Sequence, residues 1–155
     1  MAHNKNFKKI IKLLNQEGVE FLLVGAYAVI YYTEPRYTKD LDLWIKPDRD
    51  NAKRVLGALK KFGVKVTEVS VDELCNPKFI LHIGKEPDQI DFLMAIEGLT
   101  FDRAWKNKVL SHYQSEKIHL PNLKDLIKAK KASGRLQDLI DLKKLNYVAR
   151  SKKSR

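Results

Sequence analysis

The sequence predicts an α/β (α+β) chain whose last section is helical. Three features point to this class. Short apolar stretches of strand length, such as Phe21–Val24 and Asp40–Ile45, alternate with longer stretches whose apolar residues recur at helical spacing. Glycines stand at the ends of these stretches, at Gly18, Gly25, Gly63 and Gly134. After Pro121 the strand-length stretches stop, and two helical stripes close the chain.

Phe7, Ile10, Ile11 and Leu14 fall at i, i+3, i+4 and i+7, which predicts an amphipathic helix ended by Gly18. Its outer face carries Lys5, Lys8, Lys9 and Lys12. A buried strand follows over Phe21–Val24, then Gly25, a short apolar helix over about 26–32, a turn at Pro35 and a second strand over Asp40–Ile45. Asp48 caps a third helix, in which Ala52, Val55, Leu56, Leu59 and Phe62 share one stripe and Gly63 closes it. Val64–Val69 alternates weakly and reads as a strand, and 72–76 as one helical turn. Phe79–Ile83 and Gln89–Ala95 read as strands joined by a short loop, which predicts a hairpin. Phe101, Ala104 and Trp105 would share a helical face, and 109–113 and 117–120 read as two further strands. Leu123, Leu126 and Ile127 make one closing stripe, broken at Gly134, and Leu139, Leu142 and Leu145 make the other. The basic tail ARSKKSR is expected to fray.

A chain of 155 residues without repeats, low-complexity segments or linkers is most simply one domain, with a core over about 7–95 and a helical section over about 121–148. A hydrophobic share of 44% and a charged share of 32% fit a soluble globular protein. The net charge of +11, from 30 basic and 19 acidic residues, favours a polyanionic partner such as RNA, DNA or a nucleotide. A single cysteine, Cys75, excludes an intrachain disulfide and a cysteine-rich zinc site. No apolar run reaches the length of a membrane span, and MAHNKNFKK lacks the apolar core of a signal peptide, so a cytoplasmic chain is expected.

The chemistry concentrates on Asp40 and Asp42. A strand has period two, so these carboxylates share one face while Leu41, Leu43 and Ile45 take the other. On a largely buried strand two unpaired carboxylates repel each other, and a hard divalent cation removes that cost. The alternative is a solvent-facing pair near a strand start. Asp91, between Ile90 and Phe92, would complete three carboxylates if its strand lies beside the first, a pattern that holds metal ions in phosphoryl-transfer sites; otherwise it is a turn-end aspartate. Gly25 lets the backbone approach a phosphate at a helix start, or simply lets a helix pack closely on a strand. Arg36 could bind phosphate or pair with Asp40 or Glu34, and Thr38 reads first as a turn residue. Lys130 falls where the stripe predicts an apolar residue, and Asp138 shares a face with Leu142 and Leu145. Inward charges need partners, so these two either pair with each other or place Lys130 on a nucleotide phosphate, with Arg135 and Asp141 able to join either arrangement. Trp44 shares the parity of Asp42 and reads first as a core residue, and the histidines at 3, 82, 112 and 119 show no ligand spacing.

These residues resemble the polymerase-beta-like nucleotidyltransferase superfamily, and within it the small branch related to abortive-infection nucleotidyltransferase toxins. The family's apolar strand and glycine helix start, its R-x-T-x-D-[LI]-D segment and its later aspartate correspond to LLVGAYAV, RYTKDLDLWI and QIDFL. Its C-terminal lysine and G-R-x-x-D-x-x-D-L segment correspond to IKAKKASGRLQDLIDLKKL. The resemblance implies a mixed β-sheet flanked by helices and nucleotidyl transfer from an NTP with Mg2+ or Mn2+. It implies Asp40, Asp42 and Asp91 as metal ligands and catalytic carboxylates, Gly25 at the triphosphate, and Lys130 and Asp138 as further catalytic residues. Ala26 stands where the family has a second Gly or Ser, which keeps the backbone N–H at the nucleotide but removes a hydroxyl.

The sequence therefore points to a metal-dependent nucleotidyltransferase that moves a nucleoside monophosphate from an NTP to an acceptor, with Gly25, Ala26, Arg36, Thr38 and Lys130 toward the nucleotide. The net charge of +11 makes RNA, tRNA included, the leading acceptor, with an acidic partner protein as the other use of the basic surface. Two other classes stand beside it. One is a nucleotide- or RNA-binding module of the same fold without catalysis, for which Ala26 is the sequence support. The other is a toxin–antitoxin component in which partner binding dominates.

Overall fold

The computed structural model describes residues 4–153. It contains six α-helices and six strands over those residues. Helix α1 (Lys5–Gln16) starts at Asn4, whose side chain accepts from the Asn6 and Phe7 backbone N–H groups. Its apolar stripe, Phe7, Ile10, Ile11 and Leu14, is buried, as the spacing requires. Strand β1 (Phe21–Val24) leads into α2 (Gly25–Tyr32), which begins at the glycine itself. Strand β2 (Asp40–Ile45) follows, then α3 (Arg49–Phe62), capped by Asp48 at the Asn51 N–H and closed by Gly63. Strands β3 (Ile80–Ile83) and β4 (Gln89–Leu93) form the expected hairpin. Helix α4 (Phe101–Lys106), the hairpin β5 (Val109–Tyr113) and β6 (Glu116–Leu120), and helices α5 (Leu123–Ser133) and α6 (Leu136–Lys153) complete the chain.

The main sheet has the order β1-β2-β4-β3. β2 and β4 run parallel, and the two outer pairs are antiparallel, so the sheet is mixed. One face, carrying Leu23, Leu41, Leu43, Ile45, Ile90 and Phe92, belongs to the large core with α1 and α3. The other buries Leu22, Val24 and Trp44 against Phe101 and Ala104 of α4. Trp44 is thus a core residue, edge-on to Phe101 at 5.3 Å.

Three expectations are corrected. Val64–Val69 forms no strand; its centre is a 3-10 turn, Val66–Glu68, that packs on α3. The basic tail does not fray at Ala149: α6 continues through Lys153. Nor does α6 turn Leu139 inward, since Leu139 is exposed while Asp138, Asp141 and Leu145 are buried. The inward stripe of that helix is polar over about its first turn, at Asp138 and Asp141, because it meets charged partners. His3 and the last two tail residues lie outside the described residues. Among the described residues no helix is long and apolar enough to cross a membrane.

Candidate active site

Strand register builds the site. β2 lies beside β4 with Asp40 opposite Gln89 and Asp42 opposite Asp91. β1 places Val24 opposite Asp42, and β3 places His82 opposite Asp91. Directly opposite residues in a sheet point to the same face. Val24, Asp42, Asp91 and His82 therefore form one row across all four strands, and Asp40 stands on the same face two residues from Asp42. All five line a cavity of about 630 Å³.

Crowding perturbs these carboxyls. Burial pushes Asp42 up to about 7, and the neighbouring Asp91 and Asp40 add to the shift, while Lys130 pulls the other way. Asp40 is raised by burial, then by Asp91 and Glu86. Its Oδ1 is buried and has no hydrogen-bond partner among the described residues. Asp91 is buried; its Oδ1 accepts from Gln89 Nε2 at 2.9 Å and lies 2.7 Å from His82 Nδ1. An orphaned carboxylate oxygen beside two mutually repelling carboxyls fits a hard divalent cation, which takes oxygen ligands. Among the described residues no three His, Cys, Asp or Glu side chains stand so that they could together hold a metal ion.

Gly25 is required by Asp42. Its φ of +67° is a left-handed conformation, and a Cβ added there would collide with the Asp42 carboxylate. The first N–H groups of α2 are left without a side-chain cap, because Val24 occupies the N-cap position. Gly25 lines the cavity, and Ala26 is not among its lining residues.

The facing wall comes from α5 and α6. Gly134 breaks the helical run between them, and Lys130, Ser133, Arg135 and Asp138 all line the same cavity. Lys130 Nζ donates to Asp138 Oδ1 at 3.0 Å and lies 3.5 Å from Asp141. Asp138 also accepts from the Ser133 hydroxyl at 2.6 Å and from Arg135 Nε at 2.9 Å. Burial alone would raise the Asp138 carboxyl, but the bonds from Ser133, Arg135 and Lys130 outweigh it and hold the group well below the usual carboxylate range. Asp141 is paired in turn with Arg36 at 3.4 Å, so Arg36 meets neither Asp40 nor Glu34. Arg36 and Thr38 line a separate cavity of about 660 Å³ with Tyr27, Tyr37 and Asp88.

Two residues at the carboxylate row, His82 and Gln89, carried no distinguishing signal in the sequence beyond their parity with Ile80 and Asp91. That parity becomes informative only once the register of the hairpin is known.

The family described as "Nucleotidyl transferase of unknown function (DUF2204)" matches residues 3–155. The chain belongs to this family. Nucleotidyl transfer is accordingly its reaction class. The fold of this nucleotidyltransferase is similar to that of a lincosamide antibiotic adenylyltransferase, LnuA, solved with lincomycin bound. The two share 14% identity with a TM-score of 0.60, and the match covers 95% of this chain and 98% of that one. No curated protein matches the chain in sequence.

Proposed function

We propose that this chain is a metal-dependent nucleotidyltransferase that moves a nucleoside monophosphate from an NTP to an acceptor hydroxyl at the row of Asp40, Asp42 and Asp91. The observation that carries this reading is the register that sets Asp42 beside Asp91, with Asp40 on the same face of one cavity and Lys130 on its facing wall. Asp40, Asp42 and Asp91 would hold the cation. Bound Mg2+ or Mn2+ supplies positive charge for the phosphate oxygens and acidifies the acceptor hydroxyl.

The residues of the chain do the rest. The acceptor oxygen attacks the α-phosphorus, the bond to the β-phosphate oxygen breaks, and pyrophosphate leaves. The hydroxyl proton passes to a carboxylate of the row, with Asp91 as general base. Gly25 brings backbone N–H groups of the α2 start to the rim, where phosphate is favoured. Lys130 offers positive charge across the cavity, and Asp138 fixes its position through the 3.0 Å bond. Arg36 acts at one remove, by holding Asp141 near Lys130. Ala26 contributes its backbone N–H to that helix start, and Thr38 lines the neighbouring cavity with Arg36.

A net charge of +11 supports RNA, tRNA included, as the acceptor. The segment from Lys130 to Asp141 supports a place near abortive-infection toxins within the superfamily.

Incubating the chain with each α-labelled NTP, Mg2+ or Mn2+, and either total RNA or a protein extract tests the proposal. Label on the RNA fraction, absent with Asp42→Asn, is the expected result. Label on protein alone would overturn the RNA acceptor, and no label in any combination would overturn transfer to a macromolecule.

A further inference from the structure

His82 and Gln89 hold Asp91 in a way the transfer reaction itself does not explain. His82 stands on the edge strand β3 with its side chain 60% exposed, whereas the Asp91 side chain is only 12% exposed. In the tautomer with its hydrogen on Nδ1, the ring donates to the Asp91 oxygen 2.7 Å away. Gln89 reaches the same oxygen from its own strand, two residues before Asp91. Two donors on one oxygen, one from each strand, fix the rotation of the carboxylate. Asp40 has no comparable clamp, its Oδ1 being unpartnered among the described residues, while Asp42 rests against Gly25 and Asp91 itself.

We propose that His82 and Gln89 are positioning residues, which orient Asp91 toward the cation and the acceptor hydroxyl by holding its Oδ1. This rests on the reading of Asp91 as a carboxylate of the active row. Partners of this kind typically change metal affinity or activity by about 10–100-fold when removed. His82 is too exposed to matter much for packing, so its effect should appear in the site and not in the fold.

The test is Mn2+ binding to the full chain, followed by electron paramagnetic resonance or calorimetry, for His82→Ala, His82→Asn, Gln89→Ala and Asp91→Asn. An asparagine amide can donate from about the place of the histidine Nδ1. His82→Ala and Gln89→Ala should each weaken Mn2+ about tenfold, and His82→Asn should restore it to within about threefold. Thermal stability of His82→Ala should stay near that of the parent chain. Transfer should lose kcat in His82→Ala with little change in KM for the NTP. If Asp91→Asn weakens Mn2+ while both alanine variants bind it normally, the positioning role is overturned and the carboxylate row survives. If Asp91→Asn also binds normally, both are overturned. Failure of His82→Asn to recover binding would likewise overturn a role based on donation from this position.

Discussion

Asp42 and Asp91 are directly opposite each other on neighbouring parallel strands, and both line one cavity. Their shared face makes the buried Asp91 and the half-buried Asp42 interact, and desolvation with that interaction lifts Asp42 to about 7. Replacing Asp42 with Asn should therefore separate function from folding. Transfer should fall by about a hundredfold or more, the scale of losing one charge-stabilising group in an active site. The melting temperature in the absence of divalent cation should hold or rise, because a repulsion is removed. Paired transfer assays and thermal unfolding of the variant check both halves.

The same carboxyl makes stability depend on pH with a definite sign. Asp42 titrates near 3.8 when unfolded and near 7 when folded. Between those values the native chain keeps a proton that the unfolded chain has released, so stability falls as pH rises and levels off above about 7. Urea unfolding from about pH 5 to about pH 8 should show this downward slope without metal, and Asp42→Asn should flatten it. Added Mg2+ should stabilise the chain most at the upper end, where the carboxylates are ionised.

Gly25 joins the backbone to this pair. Gly25→Ala forces a side chain into a left-handed conformation and into the Asp42 carboxylate. A loss of about 2 kcal/mol in stability is expected, with transfer falling further than stability alone accounts for. Denaturant titration beside the transfer assay measures the two losses separately.

Much of the fold was legible because its signals are local. The α1 stripe, the β1–α2–β2 unit and the Asp48 cap each depend on neighbours in sequence. The parity of Asp40 and Asp42 was legible for the same reason. The partnership of β2 with β4 was not, since parallel pairing joins residues about fifty apart and leaves no pattern in either strand. His82 was lost to a finer uncertainty. A loop read as Gly84–Asp88 leaves the hairpin register open by one residue, and such a slip changes which β3 residue opposes Asp91. The structure pairs Ile83 with Ile90, and that choice puts His82 opposite Asp91. Arg36 gave no clue to Asp141, which is 105 residues away. Val64–Val69 had the composition of a strand, but the four-stranded sheet closes at β1 and β3 without it.

Lys130 is held by two aspartates that are themselves buried, Asp138 at 3% and Asp141 at 1% exposure. Removing its charge leaves both short of a partner. Lys130→Met should cost about 3 kcal/mol, the lower end for breaking a buried pair, because Arg135, Ser133, Arg36 and Gln137 remain bonded to the aspartates. If Lys130 also serves the triphosphate, KM for the NTP should rise in the molecules that remain folded. Unfolding curves and KM measured well below the melting temperature distinguish the two contributions.

An RNA acceptor should make the reaction sensitive to salt. Raising monovalent salt from about 50 to about 200 mM should reduce transfer to RNA roughly tenfold or more, through released counterions. Binding of the NTP alone should change much less. A rate that ignores salt would point to a small or uncharged acceptor.

The central claim is transfer of a nucleotidyl group at the carboxylate row, and parallel reactions with α-labelled and γ-labelled NTP test it most directly. The α-label should appear on the acceptor, the γ-label should appear only in pyrophosphate, and Asp42→Asn should do neither. Label from the γ-position on the acceptor, or undiminished α-label transfer by Asp42→Asn, would contradict it.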